Sequence, residues 1–172
     1  EAGCVEMHFG IESGNQEILN LQQKDITLEQ IRTAVKITNE AGINSRGYFI
    51  IGLPGDTRKT IIETIKFGRS LNLKNAAIFF YVPFPGTFER KYRLGDYGEV
   101  LINEWEDYVV FEKPVYIPKG MTEVELVKLY RRAYLEIHLN FKSIINLLKR
   151  VKNISTLKLY FKAFFWSVGL RK

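Results

Sequence analysis

Three places in this 172-residue chain gather residues that can do chemistry. In the first, Val5, Met7 and Phe9 alternate with Glu6 and His8, the pattern of a strand with two unlike faces. If the apolar three face helices, Glu6 and His8 face the other way with Gly10, which places a carboxylate beside an imidazole that titrates near neutrality. The plainer reading, a hydrogen-bonded core histidine, is the one the sequence favours. In the second, Gly52-Leu53-Pro54-Gly55 ends the short apolar run Tyr48–Ile51. Its glycines permit positive φ and close approach of a ligand to the backbone, and its proline fixes the turn. In the third, Pro83-Phe84-Pro85-Gly86-Thr87 makes a second rigid turn after the apolar run Ala76–Val82. No P-loop spacing fits Gly52–Thr60, and no dinucleotide fingerprint occurs.

The elements that must position these turns follow from periodicity. Gly10–Gly14 breaks the first strand, and Asn15 or Ser13 caps a short helix carrying Ile18, Leu19 and Leu21. Thr27 and Gln30 form a capping box for a helix with Ile31, Ala34, Val35 and Thr38 on one face, closed by Gly42. Asp56 or Thr57 caps a helix over Thr60–Leu71. A short helix is expected over Phe88–Leu94, then an irregular segment to Gly120 whose Tyr97, Trp105, Tyr108 and Phe111 pack on the body. Thr122 and Glu125 open a helix to about His138, and two more are expected over Phe141–Lys152 and Ser155–Val168.

Alternation of strands and helices predicts an α/β fold: a partial, half TIM-type barrel of three parallel βα units, followed by a mainly helical C-terminal extension. The expected divisions are residues 1–93, 94–120 and 121–172. In such folds ligands lie at the carboxyl ends of the strands. A parallel sheet of three strands wants neighbours at both edges, so the chain is expected to be a piece of a larger barrel.

One cysteine, Cys4, allows no internal disulfide framework and fits a reducing, cytoplasmic setting. The N-terminus has no leader pattern, and no uncharged stretch reaches the length of a membrane span. Charge is uneven. Eleven Lys/Arg against Glu136 give residues 128–172 a net of +10, which leaves −4 of the total +6 on the first 127. The last expected helix carries Ile154, Leu157, Phe161, Phe164, Phe165 and Val168 on one stripe, with Lys158 and Lys162 off it. Such a helix either packs on the barrel or its other half, or lies peripherally on an anionic membrane. Left exposed, it would invite a homo-oligomer. Nucleic acid is not expected as a partner, because the aromatics lie on the apolar stripe.

Read together, Phe9-Gly10-Ile11-Glu12-Ser13-Gly14, Lys24 twelve residues after Glu12, the run Gly47–Thr57 and Pro83–Thr87 resemble the radical SAM superfamily. The likeness is to the branch that carries a cobalamin-binding domain upstream. It covers residues 1–93 and extends loosely to the helix after Met121. It implies strands four to six of a (β/α)₆ partial barrel that holds S-adenosylmethionine and a [4Fe–4S] cluster, with cobalamin in the parent protein. Glu12 then meets the ribose diol and Lys24 the methionine carboxylate, with Ser13 beside Glu12 in the motif. Gly52, Leu53, Pro54, Val82 and Pro83 cradle the adenine, and Tyr48 faces the lumen. The residues alone also admit a dipole-favouring acid at Glu12, a solvated Lys24 and glycine turns without a ligand.

The CxxxCxxC loop of the family is absent, and one thiolate cannot hold a cluster. The resemblance therefore implies an Fe–S oxidoreductase or methyltransferase acting, through a 5′-deoxyadenosyl radical or cobalamin, on a small-molecule or lipid-like substrate. Its N-terminal half would lie in a parent chain, and this chain alone is not expected to cleave S-adenosylmethionine. The competing class is a non-catalytic α/β module whose basic tail docks on anionic membrane.

Overall fold

The structure, a computed structural model, describes residues 2–87, 90–91, 94–102, 104, 106, 108, 111 and 113–138. The helices expected over Phe141–Lys152 and Ser155–Val168, with the membrane-docking reading of the tail, lie outside the described residues, as does Trp105. So does most of the expected helix at 88–94.

Strands β1 (Glu6–Glu12), β2 (Asn44–Ile51) and β3 (Asn75–Phe80) form one sheet in that order, and both pairings are parallel. The crossovers run through α1 (Gln16–Leu21) with α2 (Leu28–Glu40), and through α3 (Arg58–Ser70). After them come α4 (Leu94–Tyr97), the antiparallel pair β4 (Gly98–Val100) and β5 (Tyr116–Pro118), and α5 (Glu123–His138). The fold is α/β, with three parallel strands, as a partial barrel of this kind requires.

Local chemistry explains most boundaries. Thr27 accepts from the Gln30 amide while the Gln30 side chain accepts from the Thr27 amide, so both halves of the capping box form. Thr57, not Asp56, caps α3, in a reciprocal box with Thr60. Asn15, not Ser13, caps α1 by accepting from the Ile18 amide. The Thr122 hydroxyl accepts from the Glu125 amide at the start of α5.

Two expectations change. β1 does not stop at Gly10. It continues to Glu12 across a register shift between Gly10 and Glu12, in which Ile11 is the extra residue. A bulge lets the strand absorb the irregular segment instead of breaking. The segment after Leu94 is more ordered than expected, because Gly98–Val100 pairs with Tyr116–Pro118 across a long excursion. Strands of three residues are too short to show alternation.

The core lies on one face of the sheet. Phe49, Ile51, Ile78 and Phe80 are buried there with Ile31 and Val35 of α2, Ile61 and Ile65 of α3, and Leu126, Leu129, Ala133 and Ile137 of α5. Helix α5 packs on both α3 and β3, so it shares the sheet's core. It also closes an edge. Tyr81 donates its amide to Ile51, so odd-numbered backbone groups of β3 face β2 and even-numbered ones face away. On that outer edge the Ile78 carbonyl lies 3.1 Å from the Tyr130 hydroxyl, and the Ala76 carbonyl 3.0 Å from His138 Nε2. Side chains of α5 thereby take the place of a further strand. No helix among the described residues is long and apolar enough to cross a membrane.

Close approach of α5 to α3 depends on Gly68, where a Cβ would stand 2.9 Å from Ile137 Cδ1 and 3.1 Å from Phe49 Cζ. Alanine is the better helix former by about 1 kcal/mol, but overpacking a filled core costs about 1–3 kcal/mol. Gly68→Ala is therefore expected to lower the unfolding free energy in denaturant titrations, against its helix propensity.

Candidate functional site

Parallel pairing brings the carboxyl ends of all three strands to one edge of the sheet. Three loops meet there: Ser13–Asn15 after β1, Gly52–Asp56 after β2 and Tyr81–Pro83 after β3. Gln22 Nε2 donates to the Pro54 carbonyl at 3.0 Å, and Gly55 lies against Leu21 and Ile18, so the first two loops touch.

At the end of β1 the bulge re-aims the chain. Ile11 is fully buried, and Glu12 follows with φ of 62°, a left-handed conformation that costs a non-glycine residue about 1–2 kcal/mol. Such strain persists where surrounding structure enforces it, and it gathers at functional sites. The Glu12 carboxylate then stands over Gly10 and accepts from Lys24 Nζ at 2.8 Å. A Cβ on Gly10 would come within 2.6 Å of Glu12 Oε1 and 2.9 Å of Lys24 Nζ, so only glycine leaves room for this pair above the strand. Both side chains stay reachable, at 24% and 31% exposure.

Ser13 turns the other way. It is buried, its hydroxyl sits 3.1 Å from that of Thr64 and accepts from the Asn15 amide, and the Gly14 amide donates to Thr64. Its hydroxyl fastens the loop to α3 and is not turned toward the open face.

In the second loop Gly52 and Gly55 both take φ of 85°. Their geometry is fixed by a residue that the sequence reading took only as a cap. Asp56 is 3% exposed, and its carboxylate accepts from the Gly52 amide at 3.1 Å, the Leu53 amide at 2.9 Å and the Thr60 hydroxyl at 2.7 Å. Burial pushes its carboxyl up to about 6, against the pull of those three donors. The available signal was a lone acid four residues after the first glycine of a tight turn, where such side chains commonly bond the preceding backbone. The Gly52 and Leu53 amides are thus occupied, and Leu53 and Pro54 are buried.

Val82, half-buried, and Pro83, buried, follow Tyr81 directly beside Ile51. Tyr116 of β5 packs edge-on against Tyr81 at 5.3 Å and is 1% exposed. Its hydroxyl has no hydrogen-bond partner. Burial raises that phenol, with Tyr81 and Asp56 adding to the shift.

Tyr48 and His8 lie on the sheet face that no helix covers among the described residues. His8 is not the core histidine the sequence favoured: its side chain is 49% exposed and bonds Tyr48 and Glu6 across that open face. Parity had placed it correctly. The preference for a core role failed because the helices cover only one face. The Tyr48 hydroxyl points toward His8, hence toward the amino end of the strands and away from Glu12.

Glu12 and Lys24 fit S-adenosylmethionine at its two polar ends: a carboxylate for a diol and an ammonium for a carboxylate. The residues do not fit a cluster. Cys4 is exposed and alone, and no group of three metal-ligating side chains occurs among the described residues.

Two outcomes follow from this geometry. Asp56 has a folded value above its ordinary 3.8, so the unfolded chain ionises first as pH rises. Its contribution to stability is present below about pH 4 and lost by about pH 6. Unfolding free energies measured across that window should fall by about 3 kcal/mol relative to Asp56→Asn. At position 12, glycine should be more stable than alanine by about 1 kcal/mol or more in paired denaturant melts, the reverse of their usual order in a strand.

Comparison with known proteins gives the family likeness of the chain. Residues 1–68 match the radical SAM superfamily. Over 145 residues, 84% of its length, the chain is 36% identical to an uncharacterized methyltransferase of Pyrococcus horikoshii, covering 31% of that protein. It is 31% identical over 142 residues to an anaerobic magnesium-protoporphyrin IX monomethyl ester cyclase of Rubrivivax gelatinosus, covering 81% of this chain and 24% of that one. A tRNA-2-methylthio-N(6)-dimethylallyladenosine synthase of Bartonella quintana is 36% identical over 88 residues, covering 47% of this chain and 18% of that one. The chain spans about a third or less of the length of these relatives. The parallel strands, the glycine-bounded loops at their carboxyl ends and these matches agree, and residues 1–68 belong to the radical SAM superfamily.

Proposed function

We propose that this chain supplies part of the S-adenosylmethionine site of a radical SAM enzyme, with Glu12 and Lys24 as its two polar anchors. The observation that carries this is the half-buried Glu12–Lys24 pair held over Gly10 by a strained bulge, at the edge where the Gly52–Asp56 and Tyr81–Pro83 loops also lie. Glu12 would accept from the ribose hydroxyls, and Lys24 would hold the methionine carboxylate. Leu53, Pro54, Val82 and Pro83 would give the adenine an apolar wall whose shape Asp56 maintains. The bound sulfonium, met by a one-electron donor, supplies a radical that abstracts hydrogen; that chemistry is the cofactor's own. Cluster thiolates would come from residues outside this chain, in the other half of the barrel.

The reaction follows from the same reading. Relatives named as a methyltransferase and a porphyrin ester cyclase support an organic, largely apolar substrate, handled by methyl transfer or oxidative bond formation. The open sheet face supports it as well. Tyr48 and Phe79 lie 5.9 Å apart between ring centres and Phe79 and Phe111 5.0 Å apart, a row of aromatic surface. Cobalamin in the parent protein belongs to the same proposal, and no residue of this chain is assigned to it.

The test uses the cluster-loaded full-length protein and isothermal calorimetry. Glu12→Gln and Lys24→Ala should each weaken S-adenosylmethionine binding by about ten-fold or more, the value of a hydrogen bond to a charged group. Only the Glu12 variant should weaken 5′-methylthioadenosine, which keeps the diol and lacks the methionine carboxylate. Unchanged affinity in both variants, or no 5′-deoxyadenosine from the reduced parent protein, would overturn the assignment.

A further inference from the structure

The open face of the sheet carries a second constellation, away from Glu12 and Lys24. Glu6 stands at its centre. Its Oε2 lies 2.8 Å from His8 Nε2 and accepts from Arg46 Nε at 3.1 Å, and its Oε1 accepts from Asn75 Nδ2 at 2.6 Å. His8 first and then Arg46 hold its carboxyl below the usual carboxylate range. An ionised carboxylate only accepts, so His8 Nε2 carries the hydrogen. A neutral imidazole has one N–H, which leaves Nδ1 as an acceptor. The Tyr48 hydroxyl, 2.9 Å from Nδ1, is therefore the donor. A carboxylate orients an imidazole whose other nitrogen meets the hydroxyl of a phenol. This is the order of groups that activates a hydroxyl in nucleophilic and general-base catalysis.

We propose that Glu6, His8 and Tyr48 form a proton-accepting chain for an acidic hydroxyl, an enol or a phenol, on a flat apolar substrate lying along the open sheet face. In the step, the substrate O–H bond breaks and its proton goes to the Tyr48 oxygen. The Tyr48 proton passes to His8 Nδ1. The electron pair stays on the substrate oxygen, and the imidazolium formed is paired with Glu6. No external oxidant or reductant enters. Tyr48 is the catalytic residue; His8 and Glu6 act through it. Phe79 and Phe111 give the substrate body its apolar contact. Among the described residues, the charged groups near the chain are Arg46, paired with Glu6, and Glu12 with Lys24 beyond Gly10 toward the carboxyl edge. The proposal rests on the proposed function in one respect, that this face meets a substrate.

The test does not need the substrate. An arylsulfonyl fluoride forms a tyrosine O–S bond with loss of fluoride, and it reacts fast only with a phenol that a base assists. In the full-length protein, mass spectrometry should find Tyr48 labelled. His8→Gln should slow that labelling by about a hundred-fold, the scale of general-base assistance, and Tyr48→Phe should abolish it. Nitrogen-15 NMR of the unsubstituted protein should show His8 protonated at Nε2 and bare at Nδ1, and Glu6→Gln should lose that preference. S-adenosylmethionine affinity should not change in His8→Gln, so failure of binding and failure of the chain are separate results. Labelling of Tyr48 that ignores His8, or a His8 protonated at Nδ1, would overturn the chain. If Glu6→Gln does not fold, the spectrum of the unsubstituted protein and the His8 variant still decide.

Discussion

Among the described residues, helices cover only one face of a three-stranded parallel sheet, and that asymmetry sorts the residues of β2 by parity. In β2, Ser45, Gly47, Phe49 and Ile51 are buried toward the helices, while Arg46, Tyr48 and Ile50 look out of the other face. Register carries the division across the sheet. His8 stands opposite Arg46, and Gly10 opposite Tyr48; Tyr48 in turn stands opposite Ala77, and Ile50 opposite Phe79. Hydrophobic burial fixes the register, because a slip of one residue would bring Tyr48 and Arg46 into the core. The polar and aromatic face is thus positioned by packing on the side it does not share.

The second constraint acts along the strands. All three end at one edge, and the loops after β1 and β2 are held by polar side chains. Thr64 of α3 binds the Ser13–Gly14 loop. Asp56 gathers the amides that Gly52 and Leu53 leave behind. Gln22 ties Pro54 to the chain after α1. These bonds spend loop amides on the loops themselves. The half-buried Glu12 and Lys24 side chains remain at this edge, paired with each other. The bulge at Ile11 serves that division by burying one residue and lifting the next over Gly10.

Much of this could be read from the residues. Thr27 with Gln30 and Thr57 at the start of α3 are capping signals whose mechanism is local, and the helices begin where they predict. The apolar runs of β2 and β3 announce buried strands, and parity set Glu6, His8 and Tyr48 on one face. Non-local facts escaped. Whether His8 meets solvent depends on which face the helices take. The bulge depends on the pairing of β1 with β2, and the β4–β5 ladder on two segments sixteen residues apart. Asp56 looked like a cap because its neighbour Thr57 is one. Only the backward turn of the loop showed that its carboxylate serves Gly52 and Leu53.

The two margins of the sheet are treated unequally. Beyond β3, Tyr130 and His138 occupy the carbonyls that another strand would need. Beyond β1 nothing comparable occurs among the described residues, and Val5 and Met7 are exposed there. Among the described residues, the margin left for a further strand is therefore the one along β1, nearer to Glu12 and Lys24 than to Val82.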